Sequence, residues 1–371
     1  MARESACTAW HLNTVRWIAG VLLAASPAFA DPTGRVNAFR AAAGLPEVTL
    51  DAKLSAGCAK HAEYLLKNAG SDAIAGLAAH QEQMGLPGAS REGADCGKNA
   101  DIFQGVADLD VAVDGFMAGI YHRRPVLDPG LSTIGIGTAR LSDGTYILVL
   151  RLSAANNASG WPIAYPADHQ TAVPLEYGNE IPNPVPGGGP AGYPITLQFP
   201  PFDKVTGVRA RLRDARGRDV PIHLSDPEQP ATSFPQSGVV SLIPQQRLAA
   251  GAKYTASVTA TWQGKVKTWT WSFTTLELRA IDAADRDAVA AALGVPSRVR
   301  GVVSHQGHIP GHVFLQLGTG EPMVSVIIPD GVWTEAKLVG KTVEVETSPQ
   351  LVEHKFLNLP IATAAQLHVV K

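Results

Sequence analysis

Proline and glycine accumulate between Ala154 and Gly192 and culminate in Pro182-Asn183-Pro184-Val185-Pro186-Gly187-Gly188-Gly189-Pro190. Neither a helix nor a sheet is expected to pass through such a run, so the chain should break there, at a domain boundary or a wrapped loop. Its 371 residues exceed what one hydrophobic core usually organises, and two or three domains are expected. Composition places these among globular folds: 45% of residues are hydrophobic and only 17% charged. A formal net charge of −2 announces no surface for polyanions.

Residues 1–30 read as a secretory signal. Arg3 and Arg16 precede the apolar run Trp17-Ile18-Ala19-Gly20-Val21-Leu22-Leu23-Ala24-Ala25, and Ala28-Phe29-Ala30 makes a small-x-small cleavage pattern before Asp31-Pro32. The run is shorter than the roughly 20 residues a membrane helix needs, and no later segment is apolar enough to span. The expectation is an exported protein, secreted or periplasmic, with no transmembrane segment after signal removal. Cys7 would leave with the signal, and Cys58 and Cys96 remain as an even pair. In an oxidising compartment they could close a long loop as a disulfide; otherwise Cys58 is a small buried hydrophobe on a helix.

Hydrophobic spacing predicts three units. In residues 31–155, Val36, Phe39 and Ala43 share a helical face, and Asp51 should cap a second helix carrying Leu54, Cys58, His61, Ala62 and Leu65. Gly85 to Asn99 reads as a polar stretch, and residues 106–121 as an amphipathic helix. Ile134–Ala139 and Thr145–Leu152 read as a hairpin around Ser142-Asp143-Gly144. Helices flanking a compact sheet make this an α+β layer domain. The Pro/Gly-rich linker occupies 156–191. Residues 192–276 alternate as short strands, with Trp269 and Trp271 on one strand face, and predict an all-β Ig-like sandwich. Residues 277–371 open on a short helix at Ile281–Leu293 and continue as five strands, at Arg298–Val303, Val313–Leu317, Val324–Ile328, Thr342–Glu346 and Gln366–Val370. That pattern is similar to a small OB-like β-barrel.

The run Asp114-Gly115-Phe116-Met117-Ala118-Gly119-Ile120-Tyr121-His122-Arg123-Arg124-Pro125-Val126-Leu127-Asp128-Pro129, continuing through Thr133-Ile134-Gly135-Ile136-Gly137, reads as a helix end, an ordered loop with an exposed His-Arg-Arg, and a strand. It closely resembles the signature of the CAP superfamily (cysteine-rich secretory proteins, antigen 5 and pathogenesis-related 1 proteins), of bacterial type, over roughly residues 34–153. The resemblance implies an α-β-α sandwich in which two histidines and two carboxylates face a cleft, holding a divalent metal such as Zn²⁺ in some members. Imidazole and carboxylate oxygen both suit that ion. His122 matches the second family histidine, and His80, in Ala78-Ala79-His80-Gln81-Glu82, the first. Where the family has Gly-Glu-Asn this chain has Gly97-Lys98-Asn99, an ammonium in place of a carboxylate, so Zn²⁺ is expected substoichiometrically at best. Glu82 and Glu92 could stand in, and His61 resembles a histidine on the second helix of a bacterial branch. The implied ligand cleft is His61, His80, Glu82, Glu92 and His122, with His80 and His122 as candidate metal ligands.

Arg123 and Arg124 suit capping of a helix end, pairing with acidic neighbours, or anion binding. Three histidines in Ser304-His305-Gln306-Gly307-His308-Ile309-Pro310-Gly311-His312 should sit at a hairpin tip, solvated or chelating a metal. Arg298, Arg300, Lys337, Lys341 and Lys355 with Phe314 and Phe356 could serve single-stranded nucleic acid. Glu344, Glu346 and Glu353 interrupt the basic stripe, so nucleic acid is not an expected partner. No Ser-His-Asp order, nucleophile elbow or His-Glu-x-x-His helix is present, and no catalytic residue is assigned. The expected function is an exported binding module whose His/Glu cleft takes a small lipid, glycan or peptide ligand at the envelope or outside the cell, with envelope proteins as partners. The alternative is a metal-assisted hydrolase acting on peptide or cell-wall substrate through the same cleft.

Overall fold

A computed structural model describes residues 31–154, 158–234, 236, 238–332, 337–352 and 356–370. The leader read over residues 1–30 lies outside them, as do Glu353 and Lys355 of the C-terminal unit. Aspartates start the first helices. The Asp31 carboxylate accepts from Gly34 N–H ahead of α1 (Pro32–Ala42), and Asp51 accepts from Leu54 N–H ahead of α2 (Ala52–Lys67), which follows β1 (Thr49–Leu50). Next come α3 (Arg91–Gly97), β2 (Ala100–Val106), α4 (Leu109–Ala118), the one-turn α5 (Arg123–Val126), and the hairpin β3 (Leu131–Arg140) and β4 (Tyr146–Ala154). The expected helix over 106–121 is α4 alone, because Val106 still belongs to β2 and Gly119 ends the helix ahead of the turn that leads to α5. The polar stretch before Asn99 holds α3, whose Ser90 cap accepts from Gly93 N–H.

The four strands order β1-β3-β4-β2, and β4 is buried on both faces. Ile147 and Val149 meet Ala62, Tyr64 and Leu65 of α2 together with the Cys58–Cys96 disulfide, which ties α2 to α3. Leu148 and Leu150 point the other way, onto Val36 of α1 and Val113 and Phe116 of α4. Helix, sheet, helix is therefore the layer order, and strand alternation sorts the two cores. The Ile-Gly-Ile-Gly run lets α2 lie against β3. A Cβ on Gly137 would stand 2.1 Å from the Cys58 carbonyl carbon, and one on Gly135 would stand 2.6 Å from Leu54 Cβ.

The stretch read as a linker without helix or sheet contributes two strands, β5 (Ile163–Tyr165) and β6 (Gln170–Val173). Pro162, Pro166 and Pro174 bracket these strands and leave the ladder N–H groups intact. They join β7 (Ile195–Gln198), β8 (Val205–Asp214), β9 (Asp219–Val220), β10 (Ile222–Ser225), β11 (Val239–Pro244), β12 (Lys253–Trp262) and β13 (Lys265–Thr275) in two sheets, β10-β11-β7-β5 and β6-β13-β12-β8-β9. Phe199, Trp262 and Phe273 fill the space between them. One continuous core runs from Val36 and Phe116 through Tyr165 and Tyr193 to Trp271, so the first two units are packed as one.

The C-terminal unit departs from a five-stranded barrel. Its order in sequence is β14 (Arg279–Asp282), α6 (Arg286–Ala290), β15 (Ser297–Ile309), β16 (His312–Leu317), β17 (Met323–Pro329), β18 (Thr342–Thr347), β19 (Gln350–Val352), β20 (Phe356–Pro360) and β21 (Leu367–Val369). The eight strands pair as β19-β20-β17-β16-β15-β18-β21, with β14 alongside β15, and the path does not close. The strands at its two ends, β19 and β21, are three residues each, too short to seal a barrel by mutual pairing. The unit keeps its own core, from Ile281 to Leu367. Among the described residues no helix is long and apolar enough to cross a membrane.

Candidate functional site

The turn between α4 and α5 builds the site. Gly119 ends α4, and the backbone N–H groups of Ile120 and Tyr121 both donate to the carboxylate of Glu180, at 2.5 and 3.0 Å. His122 Nδ1 meets the same carboxylate at 2.9 Å, and the His122 ring stacks on Phe116 at 5.5 Å between centroids. Glu180 comes from the segment read as a linker, 58 residues on, and its side chain is 2% exposed. Gly119 is required for this approach, since a Cβ there would stand 2.4 Å from Glu180 Oε2. The backbone on either side of Glu180 is pinned as well: Gly178 N–H donates to the Ala118 carbonyl, and Glu180 N–H to the Tyr177 hydroxyl.

Beside this contact lies a cavity of about 260 Å³, walled by His80, His122, Glu180, Phe103, Phe116 and Ile181 among others. His80 Nδ1 donates to the Gly97 carbonyl at 3.1 Å, so its neutral ring carries the lone pair on Nε2. Burial pushes the His80 pKa below the ordinary value, and the nearby His122 and His61 add to the shift. His122 behaves oppositely. Burial alone would lower it, but the hydrogen bond to Glu180 and the charges of Asp101 and Glu180 raise it overall. Asp101, on β2, is 8% exposed and its Oδ2 has no hydrogen-bond partner among the described residues. Burial, assisted by Glu180 and opposed by His122, pushes its pKa up to about 7. The two histidines that wall the cavity are thus shifted in opposite directions, with aromatic surface beside them.

His80 and His122 line this one cavity; the other expected cleft residues sit elsewhere. His61 is fully buried, Nδ1 against Glu82 Oε1 and Nε2 against the Ala79 carbonyl, each at 2.9 Å. A carbonyl only accepts, so Nε2 carries a proton, and both ring nitrogens are committed inside the α2 core. Glu82 also accepts from Ser90 N–H, which makes the pair a brace for the loop before α3. Glu92 points to solvent from the first turn of α3 and pairs with Lys60 at 3.4 Å. Lys98 is exposed at the C-cap of α3.

The His-Arg-Arg run is also not the exposed loop expected. His122 is mostly buried, and Arg123 is wholly buried. The Arg123 guanidinium donates to the Met117 and Pro194 carbonyls and lies against the Tyr165 and Tyr193 rings. His305 packs on Phe314 in the β15–β16 hairpin, and His312 Nδ1 donates to the Pro310 carbonyl. Among the described residues no group of three or more His, Cys, Asp or Glu side chains is placed to hold a metal ion. His122 and His80 each engage Nδ1 within the protein, which leaves two Nε2 atoms where a structural Zn²⁺ site takes four protein ligands.

Two site residues escaped the sequence. Asp101 was legible in principle, as the carboxylate three residues beyond Lys98. Glu180 carries no signal, because nothing in Gly178-Asn179-Glu180-Ile181 ties it to a turn so far upstream.

The cysteine-rich secretory protein family (CAP) matches residues 33–152. No curated protein matches the chain. Among solved structures, CopC from Methylosinus trichosporium OB3b is similar at 14% identity over 31% of this chain and 89% of its own, with a TM-score of 0.21. A putative aspartyl-tRNA synthetase from Leishmania major Friedlin is similar at 15% identity over 25% of this chain and 21% of its own, TM-score 0.19. A DUF4426 family protein from Pseudomonas aeruginosa PAO1 is similar at 12% identity over 23% of this chain and 64% of its own, TM-score 0.17. TM-scores this low define no shared fold.

Proposed function

We propose, from the premise that residues 33–152 form a CAP domain, that this is an exported protein, secreted or periplasmic, whose CAP cleft binds a small ligand. The observation that carries the reading is the single cavity walled by His80 and His122 and finished by Glu180. Its aromatic and aliphatic walls favour a ligand with an apolar body, and His80 with the His122–Glu180 pair supplies hydrogen bonds to a polar head. The Cys58–Cys96 disulfide and the leader-like residues 1–30 support export. The two-sheet unit is read as an Ig-like module that presents the CAP domain and lends it Glu180. Binding rather than turnover is favoured, because none of the described residues that wall the cavity is a serine, threonine or cysteine.

Native mass spectrometry of the mature protein tests this. A small apolar molecule should be retained by the parent chain and lost from His80→Ala and from Leu77→Trp, which narrows the same cavity. Retention unchanged in both variants would remove the cleft from the function.

A further inference from the structure

The turn that carries His122 into the cleft sends Tyr121 and Arg124 the other way, into a second cavity of about 330 Å³ between the CAP domain and the sandwich. Its walls are Tyr121, Arg124, Pro125, Phe202 and Phe234, over a floor that includes Val239. The neighbouring arginines have opposite fates. Arg123 has its guanidinium fully occupied by carbonyls and rings, whereas Arg124 has no hydrogen-bond or ion-pair partner among the described residues. Burial nevertheless lowers the Arg124 pKa, only partly offset by the charge of Asp128, whose Oδ1 accepts from Gly130 N–H. A partly desolvated, unmatched cation thus faces the cavity, which is costly unless an anion completes it.

The remaining polar groups of the walls are already satisfied within the protein. Tyr121 shares a hydrogen bond with the Thr232 hydroxyl at 2.8 Å, and Gln236 accepts from Ser225 and donates to the Val239 carbonyl. A sugar, with hydroxyls on every side, would find few partners; a body without them would not need any. The apolar rim is costly in its own right. Phe202 is 91% exposed and its backbone sits at φ +71°, in the left-handed region that penalises a residue with a side chain. The Tyr121 and Phe234 rings meet edge to face at 5.1 Å beside it.

We propose that this second cavity is a binding site for small apolar carboxylates, with the carboxylate on Arg124 and the apolar body between Phe202, Phe234 and the flanking prolines. The site is separate from the His80–His122 cleft and does not depend on its function. Two sources carry this chemistry, a free organic acid and the C-terminal apolar residue of a peptide.

Isothermal titration of the mature full chain with 4-phenylbutyrate, its neutral amide, and N-acetylphenylalanine tests the assignment. The carboxylate should bind at least about tenfold more tightly than the amide, and Arg124→Gln should erase that difference, since a desolvated charge-assisted pair is lost. Phe202→Ser, at a fully solvated position, should weaken both ligands several-fold and serves if Arg124→Gln does not fold. His80→Ala should leave 4-phenylbutyrate affinity unchanged. Tighter N-acetylphenylalanine assigns the site to peptide termini, and tighter 4-phenylbutyrate to free acids. No binding, equal affinity for acid and amide, or loss of binding in His80→Ala with Arg124→Gln unaffected would each overturn the proposal.

Discussion

Asp101 holds a position that carboxylates seldom tolerate. It is buried on the edge strand β2, with one oxygen unpartnered among the described residues and the Glu180 charge nearby. Below the ordinary carboxyl pKa of 3.8 folded and unfolded chains both hold its proton, and it exerts no pH effect. Between 3.8 and about 7 the folded chain keeps a proton the unfolded chain has lost, so stability falls as pH rises through that window and levels above it. The penalty at pH 8 is on the order of 4 kcal/mol. His122 acts in the same direction. Its raised pKa gives a contribution that is complete below its unfolded pKa and is lost as pH climbs through the folded one. Asp101→Asn should therefore flatten the stability profile, gaining most at pH 8 and least near pH 4. Urea unfolding at pH 4.5, 6 and 8 measures this, and parallel profiles for parent and variant would refute it.

At the scale of elements, the contact between α2 and β3 is set by two absent side chains. With Gly135 and Gly137 facing the helix, its backbone can rest on the strand, and Cys58 is brought to Cys96 of α3. The bond closes a separation of 38 residues, which in the chain-entropy account stabilises by about 3–4 kcal/mol. Gly137→Ala would place a methyl 2.1 Å from the Cys58 carbonyl carbon and force the helix off the sheet. The expected cost is about 3 kcal/mol or more. Gly85→Ala, where a Cβ meets open space, is the matched control and should stay within about 0.5 kcal/mol. Denaturant midpoints for the two variants should differ accordingly; similar midpoints would mean that the helix can move at little cost.

For the whole molecule, the decisive feature is that the unit of residues 31–154 does not close its own core. Val113, Phe116 and Met117 continue into Tyr165, Tyr193 and Phe199, and Arg123 takes one of its carbonyl partners from Pro194. The C-terminal unit, by contrast, has a separate core and is joined to its neighbour in part through Glu346, which accepts from Arg247 and Arg298. A chain of residues 31–276 should therefore unfold cooperatively, whereas residues 31–154 should aggregate or melt without a sharp transition. Thermal unfolding with size-exclusion chromatography separates these outcomes. A cooperative, monomeric 31–154 would show that the shared core is dispensable.

Local patterns determined a good part of this protein. Asp51 before an apolar stripe gives α2, alternation around Asp143-Gly144 gives the β3–β4 hairpin, and the His122 turn with Ile-Gly-Ile-Gly marks the CAP resemblance, because periodicity and caps act over a few residues. Strands of three or four residues, such as β5 and β19, fall below any periodic window, and brackets of proline made β5 and β6 look like linker. The cleft depended on contacts that local spacing does not encode. His61 and Glu82 paired with each other inside a core, and Glu92 turned to solvent. The carboxylate that meets His122 came from a segment 58 residues away, brought there only because strands on both sides of it are anchored in the sandwich.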